Sequence, residues 1–260
     1  MSLSSAVNRS GHPPCQRGFT LVELMVALLI GVFLTAGVLA LFAATKQSYR
    51  INEGVSRVQE SGRFAIDYMS RDLRLAGFTE LGTTLTSNFV MGWNGASSAP
   101  SGAMTAGVPS SDYEAQTDVL SISYIEPLAA ATTHTILYYI AEGASGEPGL
   151  FRKEDSATSQ ELLEGVYDMQ IRYGLDTTSP PDGQLDSYAD ADTVTTGTNW
   201  PNVVAVRIDL LLGSSEGNLA DSPMSLPYAR NDGSFFSAAS GDLRLYQMFS
   251  TTVALRNRLP

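Results

Sequence analysis

One acidic side chain interrupts an apolar run near the N-terminus of this 260-residue chain. Residues 19–44 are almost entirely apolar, yet Glu23 is the fifth residue of that run. A charged side chain at the centre of a membrane-spanning helix costs on the order of 3 kcal/mol, so an ionisable residue there is a candidate functional residue. In apolar surroundings, the chemistry that a carboxylate offers is pairing with a buried positive charge.

Residues that could catalyse a reaction are sparse. The chain has no phosphate-binding loop and no H-E-x-x-H zinc motif. After residue 18, His134 is the single histidine, so a multi-histidine metal site is excluded. An enzyme would need Ser and Asp side chains to converge on His134. We therefore predict a protein that is not an enzyme and that carries no cofactor.

The segment 176–192 is rich in aspartate and is the best candidate for a metal site. Carboxylate oxygens are the ligands that calcium prefers. The candidate ligands are Asp176, Asp182, Asp186, Asp190 and Asp192. Their spacing does not fit the EF-hand pattern, and Pro180 and Pro181 form a rigid turn among them. We interpret the segment as a solvated acidic loop between two strands, without a metal.

Composition limits the partners and the covalent chemistry. The net charge is −11 and the pI is about 4.5, which argues against nucleic acid or an anionic membrane surface as the main partner. From Phe19 onward there are 14 basic and 27 acidic residues. The only cysteine is Cys15, so the chain after residue 18 has neither a disulfide nor a thiolate zinc site.

The apolar N-terminal segment fits two ordinary interpretations poorly. A cleaved secretory signal has an apolar core of about 7 to 15 residues, and the uncharged stretch 24–44 is longer. A simple membrane anchor needs about 20 apolar residues, which are present. That interpretation gives Glu23 no role.

Residues 17–23, Arg-Gly-Phe-Thr-Leu-Val-Glu, resemble the class III signal of type IV pilins and type II secretion pseudopilins. This resemblance implies that prepilin peptidase cleaves after Gly18 on the cytoplasmic side and that the new Phe19 amine is methylated. It also implies that the helix stays as membrane anchor and filament core. We infer from the family that Glu23 pairs with a Phe19 amine, either its own or that of an adjacent subunit.

Beyond the anchor, the spacing predicts that the helix continues over residues 46–78 with two different faces. Its apolar or small positions are Ile51, Val55, Val58, Gly62, Ala65, Met69, Leu73 and Ala76. Its charged positions are Glu53, Arg57, Glu60, Arg63, Asp67, Arg71 and Arg74, several at i, i+4 spacing with opposite sign. We expect the apolar face to pack on a sheet and Gly77 to end the helix.

The rest of the chain has the patterns of an antiparallel sheet. Residues 79–116 have a loop-like composition, and the alternation predicts strands at 118–126, 133–143, 149–155, 202–213 and 243–257. Residues 161–176 are interpreted as a helical turn followed by a strand. Aromatic residues in the loops could contact a partner or cover the core: Trp93, Tyr188, Trp200, Phe235 and Phe236.

The stretch 60–78, ESGRFAIDYMSRDLRLAGF, is similar to the region after the anchor in the PilW family of minor pilins. The GVYDMQIRYG and TTVALRN segments resemble PilW and the related J-type pseudopilins. We therefore predict an α+β, pilin-like fold in which a long N-terminal helix packs on an antiparallel β-sheet head. The expected parts are a leader (1–18), a transmembrane helix (19–45), its amphipathic continuation (46–78) and the head (79–260).

The resemblance implies a minor pilin that primes type IV pilus assembly and lies at or near the pilus tip. Its expected partners are prepilin peptidase, the other minor pilins, the major pilin, the inner membrane and a tip adhesin. It would be a single-pass inner-membrane protein before assembly and part of the surface pilus afterwards. The alternatives are a J-type pseudopilin of a type II secretion system and a membrane-tethered adhesin or binding module.

Overall fold

The computed structural model describes residues 18–79, 88–109, 111–126 and 132–258. The helices are Leu21–Leu75 (α1), Ser101–Ala106 (α2) and Ala191–Thr196 (α3), with 3-10 turns at Trp200–Asn202 and Arg256–Arg258. The strands are Val90–Trp93 (β1), Val119–Glu126 (β2), Thr132–Glu142 (β3), Pro148–Glu154 (β4), Gln160–Glu164 (β5), Val166–Leu175 (β6), Ser187–Ala189 (β7), Val203–Gly213 (β8), Ser225–Ala229 (β9), Phe235–Ser237 (β10) and Tyr246–Ala254 (β11). The leader before Gly18, including Cys15, lies outside the described residues.

Contacts divide the chain into a unit that ends at Tyr49 and a unit that begins at Arg50. In the first unit, every described residue of α1 is exposed. Two hydroxyl groups there bond to carbonyl oxygens one turn earlier, Thr35 to Gly31 at 2.7 Å and Thr45 to Leu41 at 2.8 Å. The helix thus satisfies these polar groups itself, as an apolar environment requires.

In the second unit, α1 buries one face. The buried members of the predicted apolar face are Val58, Gly62, Ala65, Met69, Leu73 and Ala76. Ile51 and Val55 are only half-buried. Gly77 lies just after the helix with a φ of +73°, a conformation that favours glycine. Its predicted role in ending the helix is thus confirmed.

Two antiparallel sheets pack with α1 around one core. Sheet A has the strand order β1-β2-β3-β4-β5 and sheet B has the order β11-β8-β6-β7. A third pair, β9 with β10, forms a hairpin. The predicted meander of β2, β3 and β4 is confirmed by its continuous antiparallel registers. The predicted α+β fold, with a long helix on antiparallel sheets, is likewise confirmed.

Contacts between α1 and sheet B show the direction of the helix relative to β11. A Cβ on Gly62 would lie 2.4 Å from the Phe249 ring, and one on Gly54 would lie 3.9 Å from Leu245. Near the other end, the Asn257 amide donates to the Ala76 carbonyl at 2.8 Å. Ascending positions in α1 therefore meet ascending positions in and around β11, so the two elements run in the same direction.

Two local predictions were wrong. Residues 160–164 form β5 instead of a helical turn, because Leu163 pairs with Leu150 of β4 and packs against the core. The segment 79–116 contains β1 and α2 besides loop. Here Gly92 permits the close packing, since a Cβ at this position would lie 1.8 Å from the Tyr173 hydroxyl oxygen. Long-range pairing outweighs local composition in both cases.

Candidate functional site: the start of the long helix and the head that follows it

The candidate processing residues lie just before α1. A Cβ built on Gly18 would meet nothing within 4 Å, and Phe19 is 85% exposed. Both residues precede the first residue of the helix, Leu21, and are free of regular secondary structure. Their backbone is therefore open to a peptidase.

Glu23 lies in the first turn of α1. Its main-chain N–H donates to the Thr20 hydroxyl at 3.2 Å, and the Leu24 N–H donates to the Thr20 carbonyl at 3.2 Å. Thr20 therefore caps the helix, with the Thr-x-x-Glu spacing of a capping box, a role that the sequence interpretation missed. A carboxylate in the first turn is also favoured by the partial positive charge of the helix N-terminus.

The apolar side chains of the first unit form a large uncovered surface. Those from Phe19 to Phe42 are 49% to 85% exposed. Exposed apolar patches of this extent mark surfaces that lipid or protein covers. By length and composition, α1 is also a helix that could cross a membrane.

The comparisons with known proteins agree with these features. Residues 137–257 match the family model of the Type IV Pilus-assembly protein W, PilW, and residues 13–39 match the prokaryotic N-terminal methylation motif. The chain is thus similar to PilW over a large part of its head and carries the methylation motif at its N-terminus. The resemblance predicted from the sequence is thus confirmed, and these matches support a component of the type IV pilus.

A solved structure was also found to be similar. It is the type IV-like pilin TTHA1219 from Thermus thermophilus, with 14% sequence identity and a TM-score of 0.43, over 78% of this chain and 100% of that chain. No curated protein sequence matches the chain.

In the head, an ion pair joins the last turns of α1 to sheet A. Asp72, which is 7% exposed, accepts from the Tyr138 hydroxyl at 2.6 Å and from Arg152 Nε at 2.9 Å. Arg152 Nη1 also donates to Glu154 at 2.8 Å. Burial, and next the adjacent Asp72, raises the pKa of Tyr138 well above its usual value. The sequence interpretation assigned Asp72 no role. An acid on the same helix face as Met69 and Leu73 nevertheless indicates a buried carboxylate that needs a partner.

A second buried network joins the β9–β10 hairpin to both sheets. Asp118, directly before β2, accepts from the Ile171 N–H at 2.8 Å and from the Asn231 amide at 2.7 Å. Arg230 Nε donates to Asp168 at 2.6 Å. Asp168 thus forms an ion pair with Arg230, whereas Asp118 is held by main-chain and amide N–H donors. Because of burial, the pKa of Asp118 is raised to about 7 and that of Asp168 is raised as well.

The aspartates of segment 176–192 serve the loop itself. Asp176 accepts from the Thr178 hydroxyl at 2.6 Å, and Asp186 accepts from the Thr177 N–H at 2.7 Å. Asp190 caps α3 by accepting from the Thr193 N–H at 2.8 Å. No group of three or more His, Cys, Asp or Glu side chains suited to a metal ion occurs within the described ranges. The segment also contains β7 and the start of α3, so its interpretation as a plain loop was incomplete.

His134 contacts acids and an aromatic ring. Its Nδ1 lies 2.7 Å from Asp155, its Nε2 lies 3.4 Å from Glu126, and its ring stacks on Tyr124 at 5.3 Å. The pattern G-x-S-x-G, which the sequence interpretation overlooked, occurs at residues 213–217. There a strand leads into bends, not into the helix that a nucleophile elbow requires.

The loop aromatics divide between core and surface. Trp200 is buried and meets the Tyr173 ring edge-on at 4.8 Å, and Phe236 is buried as well. Trp93 is half-buried, whereas Tyr188 and Phe235 are 40% and 64% exposed. Only the last two therefore offer substantial aromatic surface to a partner.

Proposed function

We propose that this chain is a minor pilin that primes type IV pilus assembly and lies at or near the pilus tip. The observation that carries the proposal is the combination of two features in one chain. An N-terminal methylation motif begins a helix whose apolar side chains are uncovered, and a PilW head follows it. A helix of this kind can be covered first by lipid and then by neighbouring pilin helices.

Processing supplies the charge that Glu23 is proposed to neutralise. Cleavage after Gly18 by prepilin peptidase would create an amine on Phe19, which is then methylated and keeps its positive charge. An unpaired charge in apolar surroundings is strongly unfavourable, so a nearby carboxylate stabilises it. In the inner membrane, Glu23 would pair with the amine of its own chain. During assembly it would pair with that of a neighbouring subunit.

The proposed work of the head is structural and not catalytic. The two buried networks use their charged groups to hold α1 and the hairpin in place. The expected partners are prepilin peptidase, the other minor pilins, the major pilin and a tip adhesin. The single-pass inner-membrane form would be the precursor of the form in the pilus.

The test is crosslinked co-purification of the full chain from piliated cells, together with mass spectrometry of its N-terminus. We expect a chain that starts at methylated Phe19 and is recovered with the other minor pilins. A Gly18→Phe variant should stay uncleaved, because a bulky side chain blocks access to the backbone. An unprocessed N-terminus at Met1 would contradict the proposal. Recovery with type II secretion pseudopilins would instead assign the J-type role.

A further inference from the structure

The four edge strands of the two sheets differ in their protection. An open edge presents unpaired N–H and C=O groups, and natural sheets protect edges by short length, charged residues or bulges. β1 has 4 residues and β7 has 3. β5 has 5 residues, carries Glu161 and Glu164, and its pairing with β4 changes register. Each of these three edges has a protecting feature.

β11 has none of these features. It is 9 residues long, contains no charged residue and no proline, and pairs with β8 in one unbroken register. A long, regular and uncharged edge strand is a template for another strand. A protein that keeps such an edge avoids aggregation if a partner occupies it.

The hydrogen bonds show which residues face outward. Just after β11, the Leu255 N–H donates to the Val204 carbonyl, toward β8. At the start of the strand, the Tyr246 N–H instead points away from β8 to the Met224 sulfur at 3.3 Å. Backbone groups alternate along an antiparallel strand, so those of even-numbered residues face outward. The outward-facing residues beyond Tyr246 are Met248, Ser250, Thr252 and Ala254, and all four are exposed.

We propose that β11 pairs with an extended, uncharged strand of another pilus subunit, which adds a fifth strand to sheet B. Within the ranges that the structure describes, no strand pairs with the outer side of β11. Main-chain groups of an extended segment fit such an edge, and this mode of recognition needs few side chains. The proposal rests on the proposed function only for the identity of the partner.

The direction of α1 argues against an antiparallel pair of two identical chains. In the second unit, α1 and β11 run in the same direction, as the contacts of Gly54, Gly62 and Ala76 show. Two β11 strands paired antiparallel would therefore set the two helices antiparallel. The two helix segments would then enter their heads from opposite sides, although both chains are proposed to be anchored in the same membrane. A different subunit has no such restriction.

The two faces of β11 define the composition of the incoming strand. Met248, Ser250 and Thr252 are exposed and uncharged on one face, where small or hydroxyl side chains would fit. On the other face, Phe249 is partly buried and contacts the core and Gly62 of α1. A side chain beside Phe249 would be apolar. The expected partner segment therefore alternates apolar and small polar residues and carries no charge.

The first experiment places a photoreactive benzophenone amino acid at Thr252 of the full chain, with Glu164 on the β5 edge as the matched control position. Piliated cells are irradiated and the crosslinked peptides are identified. We expect Thr252 to crosslink to an uncharged extended segment of another pilus subunit and Glu164 not to reach that segment. A crosslink to this same chain, such as to residues 80–87, or to a second copy would overturn the proposal.

The crosslinking results distinguish an error in the edge proposal from an error in the proposed function. If general crosslinking recovers the chain with other pilins but Thr252 gives no crosslink to them, the edge proposal is wrong and the minor-pilin function stands. If the chain is recovered with no pilin at all, the proposed function is wrong, and so is the identity of the edge partner.

The second experiment compares Ser250→Pro with Ser250→Ala in the same cells. Proline at position 250 removes an outward N–H that makes no bond to β8, so the sheet should tolerate it. We expect recovery of the partner to fall at least about tenfold for the proline variant and to stay unchanged for alanine. If proline unfolds the head, Thr252→Glu, which adds a charge to the exposed edge, replaces it. Unchanged recovery with a folded, edge-blocked variant would overturn the proposal.

Discussion

The two halves of α1 show how one helix can serve two different apolar environments. From Leu21 to Phe42, apolar side chains surround the helix and are exposed. From Val58 to Leu73, buried apolar residues lie on one face, and the charged residues other than Asp72 lie on the other. A segment that is apolar all round must be covered from outside the chain, whereas a one-sided segment is covered by the chain's own sheets. The second half therefore serves folding, and we propose that the first half serves assembly.

The largest effect on head stability is expected at Asp72. Asp72→Ala leaves Arg152 without its buried partner, and breaking such a pair costs about 3 to 5 kcal/mol. Denaturant unfolding of the full chain in detergent micelles, followed by the fluorescence of the buried Trp200, measures the loss. The double variant Asp72→Leu with Arg152→Leu should recover most of it, since the carboxylate that loses Arg152, Glu154, is partly exposed and no buried charge is left unpaired. No recovery would mean that the pair does more than neutralise charge.

A leucine in each half of α1 compares the two environments directly. Leu73→Ala should lower the free energy of unfolding of the head by about 2 to 5 kcal/mol, because Leu73 is fully buried. Leu34→Ala, at a position that is 66% exposed, should change it by less than about 0.5 kcal/mol. The same unfolding measurement serves both variants, and equal losses would show that the halves are not distinct.

The buried carboxylates of the second network make head stability depend on pH. The pKa of Asp118 is raised to about 7 in the folded state, whereas in the unfolded chain it is about 3.9. Between these values the folded head holds the additional proton, so the free energy of unfolding falls as the pH rises toward 7, by at most about 1.4 kcal/mol per pH unit. Above about pH 7 the dependence should level off.

Unfolding curves from pH 5 to pH 8 check this dependence. Asp118→Asn should flatten it, and Asp192→Asn, which changes an exposed carboxylate in α3, should not. A stability that rises with pH across this range would contradict the assignment.

The smallest effect is expected on the charged face of α1. Glu53 and Arg57 form an i, i+4 pair at 2.6 Å, but their side chains are 41% and 66% exposed. Solvent screens such a pair, so Arg57→Ala should change head stability by no more than about 0.5 kcal/mol. A larger loss in the unfolding measurement would mean that this face also contacts the head.

The sequence predicted those features whose signals are local and periodic. The buried face of α1 follows from three- and four-residue spacing, and the β2–β4 meander follows from runs of β-branched and aromatic residues. The segment at the start of α1, with Gly18 and Phe19 before the helix and Glu23 in its first turn, was identified by its resemblance to pilin signals. The Thr20 cap has an equally local signature and could have been predicted.

The features that were missed depend on partners far away in the chain. β5 has helix-favouring residues, and its pairing with β4 is not visible in the segment itself. Asn231 bonds to Asp118 across 113 positions, so neither residue signals the other. Burial of Asp72 likewise depends on Arg152, 80 residues later. Local patterns indicate elements, but they do not show which polar groups the fold will bring together.

The most direct test of the division between the two halves of α1 is the amount of a Glu23→Gln variant in sheared surface pili, measured by immunoblot. This change removes the charge and keeps the side-chain length, and the Thr20 cap remains because its donor is the main chain. We expect a processed, membrane-inserted chain with an unchanged head, and at least about a tenfold loss from the pilus fraction, which corresponds to about 1.4 kcal/mol or more. Wild-type amounts of the variant in sheared pili would contradict the account.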